Sequence, residues 1–460
     1  MNQPQASRYA SSFASRLKQS AGLYSFVALG AFYLLLLVIF SPDRLRHDEW
    51  RYFEGANNLS NGYFVADDRP EFSNGPGYPL LLAPVMHFSD WQVGSIVQNS
   101  TTFEYDVLSP SNEVMNNLKW RLFPFRVINV FFLLGGIAIS YLAARKFVSK
   151  KTAFIIVTIM ALHPLQLRWV PYLMTENVTP LLFSLFLLAY IAALRSTQLS
   201  LKWVLLSAFA ISMLALTRVL FGYVLLGSII VIPLLLYFDG HREYTRKAVL
   251  PLVLGLLFCT PYLAYTHLHT GKFFAWSTNG AELLYWMTSP HEGEFGNWSQ
   301  EKWIVEDPLM TQNHLATIQE ISNTPFADQN ELWKAGIRRH LEAENSTKAL
   351  IRNYATNVFR LFFDVPQSRQ FQRIPKLIWT ICGVLLLVVV LPVLYVSIRR
   401  WHLVSIEIKL IMTVISIYIG LCLLLPASPR YLVPIFPGLF IWMGYVIERF
   451  TSIEISLNPP

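Results

Sequence analysis

Apolar windows of near-membrane length recur along this chain, near residues 22–41, 123–145, 153–169, 178–195, 202–216, 219–237, 248–265, 377–398, 406–425 and 431–448. Crossing about 30 Å of hydrocarbon takes about 20 apolar residues in a helix, the form that satisfies every backbone polar group within its own segment. The pattern predicts an all-α polytopic membrane protein with about ten transmembrane helices. The pair between 202 and 237 is the least distinct. Composition agrees, since 53% of the 460 residues are hydrophobic and 14% are charged.

The net charge of +8 does not point to nucleic acid, because Lys and Arg fall mostly in short inter-helix loops, where they orient membrane helices. With the basic N-terminal tail placed in the cytoplasm, the same side receives Arg145, Lys146, Lys150 and Lys151, then Arg195 and Lys202. Arg242, Arg246 and Lys247 follow, and finally Arg399, Arg400 and Lys409. The opposite side receives two long loops, 42–122 and 266–376, and shorter turns holding His163 to Asn177, Arg218, and Pro426 to Arg430.

The chain thus divides into a cytoplasmic tail (1–21), an N-terminal membrane module (22–265), an extracytoplasmic loop region (266–376), C-terminal membrane helices (377–450) and a cytoplasmic tail (451–460). Helical patterns at 331–343 and 347–362 predict a compact layer over the spans rather than a separate soluble domain. Cys259, Cys382 and Cys422 all lie in apolar segments and read as packing residues. No internal repeat stands out.

All the candidate chemistry faces one side. Arg46-His47-Asp48-Glu49-Trp50-Arg51-Tyr52 places two acids and two arginines just past the first span. In an interfacial helix over 47–60, Asp48, Arg51, Tyr52 and Gly55 share a face, with Glu49 about 100° away. A carboxylate beside a guanidinium can accept a proton while the cation holds a phosphate oxygen. The plainer account is a surface ion pair of small energetic value.

Phe72-Ser73-Asn74-Gly75-Pro76-Gly77-Tyr78-Pro79 reads as a tight turn into a second interfacial helix. Glu176 precedes the span at 178, where an acid can simply complement the helix dipole. Arg218 and Arg430 sit on the less usual side for arginine, as snorkelling residues or as ligands for an anionic headgroup. His267, His269, Glu282 and His291 match no metal-ligand spacing, and no nucleotide-binding or serine-nucleophile motif is present.

Taken in order, these motifs resemble the lipid-linked-sugar glycosyltransferases of the GT-C superfamily, of the family 39 type that includes protein O-mannosyltransferases and the aminoarabinose transferase of lipid A. The resemblance covers about 22–450. It rests on Asp48 to Tyr52, Gly62 with Asn74 to Pro79, Glu176-Asn177, and Leu216-Thr217-Arg218. The block from Gly271-Lys272-Phe273 to Ser277-Thr278-Asn279-Gly280 and the segment Arg430-Tyr431 with Pro434 and Pro437 complete it.

The resemblance implies a GT-C-like fold, a polyprenyl-phosphate sugar donor and inversion at the anomeric carbon. It implies that Asp48, the acid of the first loop, is the catalytic residue, with Glu49 beside it, and that Arg51 and Arg218 contact the donor phosphate; Arg430 is read as a third cation for that phosphate. Tyr52, Asn74, Glu176, Lys272 and Asn279 fall to substrate binding. Lysine is absent from Ser73-Asn74-Gly75-Pro76, where aminoarabinose transferases carry one, which argues against that substrate.

The inventory suits such chemistry on its own terms. A polyprenyl phosphate leaves as a stabilised anion, so one base and cations suffice, with no cofactor and a divalent metal left open. The acceptor is a lipid, a polysaccharide or a protein, and the expected location is the inner membrane of a bacterium with the site facing the periplasm. Competing readings are a ligase or polymerase of lipid-linked glycans, and a transporter or flippase of an anionic lipid. Charges gathered at one interface beneath long loops favour an enzyme over a transporter, whose charges sit at mid-membrane.

Overall fold

A computed structural model describes residues 3–65, 70–88, 93, 95–98, 104–108, 111, 113–115, 117–299, 301–363 and 373–450. The proposed tail at 451–460 lies outside the described residues. The first helix, α1 (Gln3–Phe40), runs through most of the expected N-terminal tail. Pro4 sits in its first turn, where a missing N–H costs nothing, and from residue 5 to 20 the helix meets no proline or glycine to stop it.

The first long loop holds β1 (Leu45–Arg46), α2 (Glu49–Ser60), α3 (Gly77–Phe88), β2 (Ser95–Gln98), β3 (Glu104–Leu108) and the single turn α4 (Leu118–Arg121). The strands form an antiparallel sheet in the order β1-β3-β2, with Leu45 opposite Tyr105 and Ile96 opposite Val107. Short strands with no long apolar run gave no helical signal, and an all-α reading passed over them. Alternating burial along β3 puts Tyr105 and Val107 inward.

The membrane module follows with α5 (Phe123–Ala144), α6 (Lys150–Leu162), α7 (Pro164–Leu167), α8 (Thr179–Arg195), α9 (Leu201–Thr217), α10 (Leu220–Phe238), α11 (Thr245–Phe258) and α12 (Thr260–Thr270). The outer layer is α13 (Gly280–Met287), α14 (Glu301–Glu306), α15 (Pro308–Ser322), α16 (Phe326–Glu342) and α17 (Ser346–Phe362). Three long helices close the chain: α18 (Arg373–Arg399), α19 (Ile406–Leu423) and α20 (Phe436–Phe450).

Seven helical segments among the described residues are long and apolar enough to cross a membrane, or eight if the bent pair 242–258 and 260–270 counts as one. Ten were expected from hydropathy, and the difference has local causes. Helix α9 stops at 17 residues, and the window at 153–169 breaks at His163-Pro164. There the His163 ring accepts the Leu165 N–H while Pro164 opens α7, so one cap ends α6 and starts the next turn.

Helix α8 is the centre of the bundle, packed against α5, α9 and α20. Small residues let the helices approach: Gly136 of α5 lies against the Leu181 backbone, and Ser140 and Ser184 share a 2.7 Å hydrogen bond. The segments Gly22–Phe40 of α1 and Thr380–Arg399 of α18 leave most of their residues unburied, as lipid-facing spans do. The basic connections gather at one end, tied by Arg195–Glu407 at 2.7 Å and the buried pair Lys409–Asp239 at 2.6 Å. The described parts of the two long loops lie at the other end.

The layer formed by α13–α16 has a small apolar core of its own, Tyr285, Trp286, Ile304 and Ile318. Helix α17 joins it to the bundle. Asn357 donates to the carbonyls of Leu423 and Leu425 and accepts from the amide of Ala427, holding the turn that follows α19.

Candidate functional site

After α1 the chain makes β1 and turns at His47, whose φ of 55° is in the left-handed region. Such a backbone costs of order 1 kcal/mol in a non-glycine residue, and His47 is held in it edge-on to Trp169 and Tyr172. The turn puts Asp48 at the N-cap of α2, yet its side chain makes no capping bond. Instead Oδ2 accepts from Arg430 Nη1 at 2.9 Å, and Oδ1 lies 3.7 Å from Arg51 Nη1. Burial works to raise the Asp48 pKa, but Arg430 and Arg51 outweigh it and hold the group below the usual carboxylate range.

Arg51 is held more loosely. Its second branch is 3.6 Å from Glu71, its plane lies 5.1 Å from the Trp50 ring, and its buried Nε finds no protein partner among the described residues. A half-exposed guanidinium between two distant carboxylates can turn to an incoming anion at little cost.

A second ion pair stands next to the first. Arg218, at the C-cap of α9, donates to Glu176 at 3.0 Å, and Glu176 is buried in the short helical turn Thr175–Asn177. Arg218 and Arg430 approach the same Tyr431 ring at 4.9 Å and 5.6 Å. Tyr52 is buried in the field of both Asp48 and Glu176, meets Thr175 through its hydroxyl, and stacks edge-on against Tyr78 at 5.2 Å. Burial, reinforced by those two carboxylates, pushes its phenol well above its ordinary range.

The loop ahead of α3 positions this second pair. A Cβ on Gly75 would sit 2.0 Å from the Leu216 carbonyl oxygen, and one on Gly77 2.6 Å from the Thr217 amide nitrogen. Only glycine permits that approach, so the Asn74-Gly75-Pro76-Gly77 segment locks onto the corner that carries Arg218. The Asn74 amide nitrogen and the Thr217 hydroxyl are buried there with no protein partner among the described residues.

Not every residue read from the sequence joins the cluster. Glu49 points into the protein, accepting from the amides of Leu173 and Arg46, both at 2.7 Å, and facing Arg126 at 3.5 Å. Glu49 and Arg126 are fully buried, and this pair fastens the first loop to α5 and to the segment before Thr175. Lys272 is exposed beyond the end of α12, with Lys334 and Glu331 of α16 as its charged neighbours. Asn279 caps the start of α13 without a side-chain bond. Its neighbour Thr278 exchanges two hydrogen bonds with Phe72, at 3.0 and 3.1 Å, so the block borders the glycine loop at one remove.

Glu71, Tyr431 and Glu282 belong to the surroundings and were not picked out as site residues from sequence. Glu282 of α13 accepts from Trp298 at 2.8 Å and senses Arg51 and Glu71. Glu71 lies three residues before Asn74 and Tyr431 follows Arg430, so adjacency to the motifs was the available signal. Among the described residues, no group of three or more His, Cys, Asp or Glu side chains is arranged to hold a metal.

No protein-family profile matches the chain, and no curated protein matches it. Among solved structures it is similar to the oligosaccharyltransferase AglB of Archaeoglobus fulgidus in complex with an inhibitory peptide and a dolichol-phosphate. The identity is 12% over 93% of this chain and 50% of that one, with a TM-score of 0.48. It is also similar to ArnT from Cupriavidus metallidurans bound to undecaprenyl phosphate, at 14% identity over 93% of this chain and 77% of that one, TM-score 0.40. The chain spans about half the length of the oligosaccharyltransferase.

Proposed function

We propose that this protein is an integral-membrane glycosyltransferase that moves a hexose or pentose from a polyprenyl-phosphate donor to an extracytoplasmic acceptor, with inversion. The observation that carries this reading is the side-by-side placement of Asp48–Arg430 and Glu176–Arg218 at one end of the bundle, with the loosely held Arg51 beside them. The resemblance of the loop motifs to GT-C enzymes supports it. The proposed location is the inner membrane of a bacterium, with the site facing the periplasm.

In this reading Arg51, Arg218 and Arg430 receive the donor phosphate. A carboxylate pinned by arginine is a weak base, since general bases work best with a pKa near the working pH. Phosphate binding competes for Arg430 and releases Asp48, whose pKa then rises. Asp48 takes the proton of the acceptor hydroxyl as that oxygen bonds to the sugar C1. The bond from C1 to the phosphate oxygen breaks with both electrons on the polyprenyl phosphate, whose charge the arginines stabilise. Glu176 and Tyr52 orient the sugar or acceptor, and Asn74 offers a buried donor.

The test is transfer by the purified protein from a purified polyprenyl-phosphate sugar, comparing wild type with Asp48→Asn and Arg430→Gln after folding is checked. Loss of a general base costs on the order of 10²- to 10⁴-fold, and that is the expected fall for Asp48→Asn. Near-wild-type turnover by both variants overturns the assignment. Products extended by many sugars would identify a polymerase, and lipid movement without transfer a flippase.

A further inference from the structure

Helix α17 has its apolar side on the outside. The exposed face is Ile351, Tyr354, Ala355, Val358 and Phe359, at i, i+3, i+4, i+7 and i+8, with Ile351 67% and Phe359 61% exposed. The buried face carries Asn353, Asn357 and Arg360 beside Ala349 and Leu361, and each of the three polar side chains donates to backbone carbonyls. Asn353 donates to Met287 and Ser289, Asn357 to Leu423 and Leu425, and Arg360 to Phe295. A helix resting on a water-washed layer carries the opposite pattern, polar outside and apolar inside.

Its neighbour indicates what covers the stripe. A Cβ on Gly383 would lie 2.1 Å from the Phe362 carbonyl oxygen, so the end of α17 sits against α18 within the first turn of its span, 380–399. The exposed side of that span, with Ile381, Leu385 and Val388, belongs to hydrocarbon. At the other end of α17 the exposed positions are Thr347 and Lys348, polar and cationic, as suits a headgroup layer. The outward face therefore grades from polar to apolar towards the membrane span.

We propose that α17 lies obliquely in the bilayer interface, its Ile351-to-Phe359 stripe covered by lipid acyl chains. Its polar face meanwhile holds the turn that leads to Arg430. The helix is a lipid-contacting brace, and the lipid surface is the partner that its exposed face fits. This rests on the membrane fold and not on sugar transfer, so the two stand or fall separately.

Site-directed spin labelling of the full chain in phospholipid nanodiscs tests it, with the native cysteines replaced. Single labels go at Ile351, Val358 and Phe359, with Thr347 and Glu331 as water references and Val388 as the lipid reference. Collision with oxygen reports lipid, and collision with a nickel chelate reports water. The expected result is an oxygen-to-nickel ratio several-fold above that of Thr347 at all three sites, rising from 351 to 359 towards the value at 388. Ratios equal to those of Thr347 overturn the proposal. Low collision with both reagents overturns it too, since that means protein covers the stripe. Three independent sites keep the test decisive when one labelled variant does not fold.

Discussion

Asp48 owes its charge state to two guanidinium groups, and one of them can be removed without touching the carboxylate. With its pKa below the unfolded value of about 3.9, ionised Asp48 stabilises the fold above that value, and the contribution fades as pH falls through the folded pKa. Arg430→Gln removes the nearer cation, so the acid limb of the transfer rate is expected to move to higher pH. A pH-rate profile of this variant checks it, and an unmoved limb would separate Arg430 from the proposed base. At Gly75 the argument is steric. The Leu216 carbonyl oxygen 2.0 Å from a built Cβ is backbone and cannot rotate away, so Gly75→Ala is expected to destabilise by about 1–3 kcal/mol. Thermal unfolding in detergent measures it.

Helices rather than single residues carry the outer layer, and a polar string ties them. His314 of α15 is hydrogen-bonded through Nδ1 to the Tyr285 hydroxyl of α13 at 2.7 Å and donates from Nε2 to Glu294 at 2.8 Å. Asn313 and Ser289 add donors to the same carboxylate. Burial works to raise the Glu294 pKa, but the bond from His314, the charge of that ring and the Ser289 and Asn313 donors prevail and hold it at about 2 against an ordinary 4.5. Its contribution is therefore present above pH 4.5 and lost as pH falls towards 2. Glu294→Gln is expected to weaken the layer by about 2–3 kcal/mol at neutral pH. Hydrogen exchange across 280–322 reads this directly, and unchanged protection would show that α13 and α15 are held by their apolar core alone.

Across the whole molecule the charges sort to two ends with different duties. At the end away from Asp48, Lys409 is buried against Asp239, with Trp401 donating to the same carboxylate at 3.1 Å. Removing one partner strands the other, so Lys409→Met is expected to cost about 3 kcal/mol of stability. The donor KM should stay unchanged, as a chemical denaturation curve and a transfer assay on the variant would show. A changed KM would mean that the two ends are coupled through the bundle.

The apolar spans and the sorting of basic connections were legible in the sequence because hydropathy and loop charge are local properties. So were the helices at 331–343 and 347–362, found at Phe326–Glu342 and Ser346–Phe362. The short sheet, the break at His163-Pro164 and the early stop of α9 were less legible, since each turns on a few residues in a long pattern. The sequence by itself determined that Asp48, Arg51, Glu176, Arg218 and Arg430 belong to one side. Only the tertiary structure decided that Asp48 meets Arg430 across 382 residues while its neighbour Glu49 turns inward to Arg126. One step along a helix rotates a side chain by about 100°, and which direction faces a partner depends on how distant helices pack.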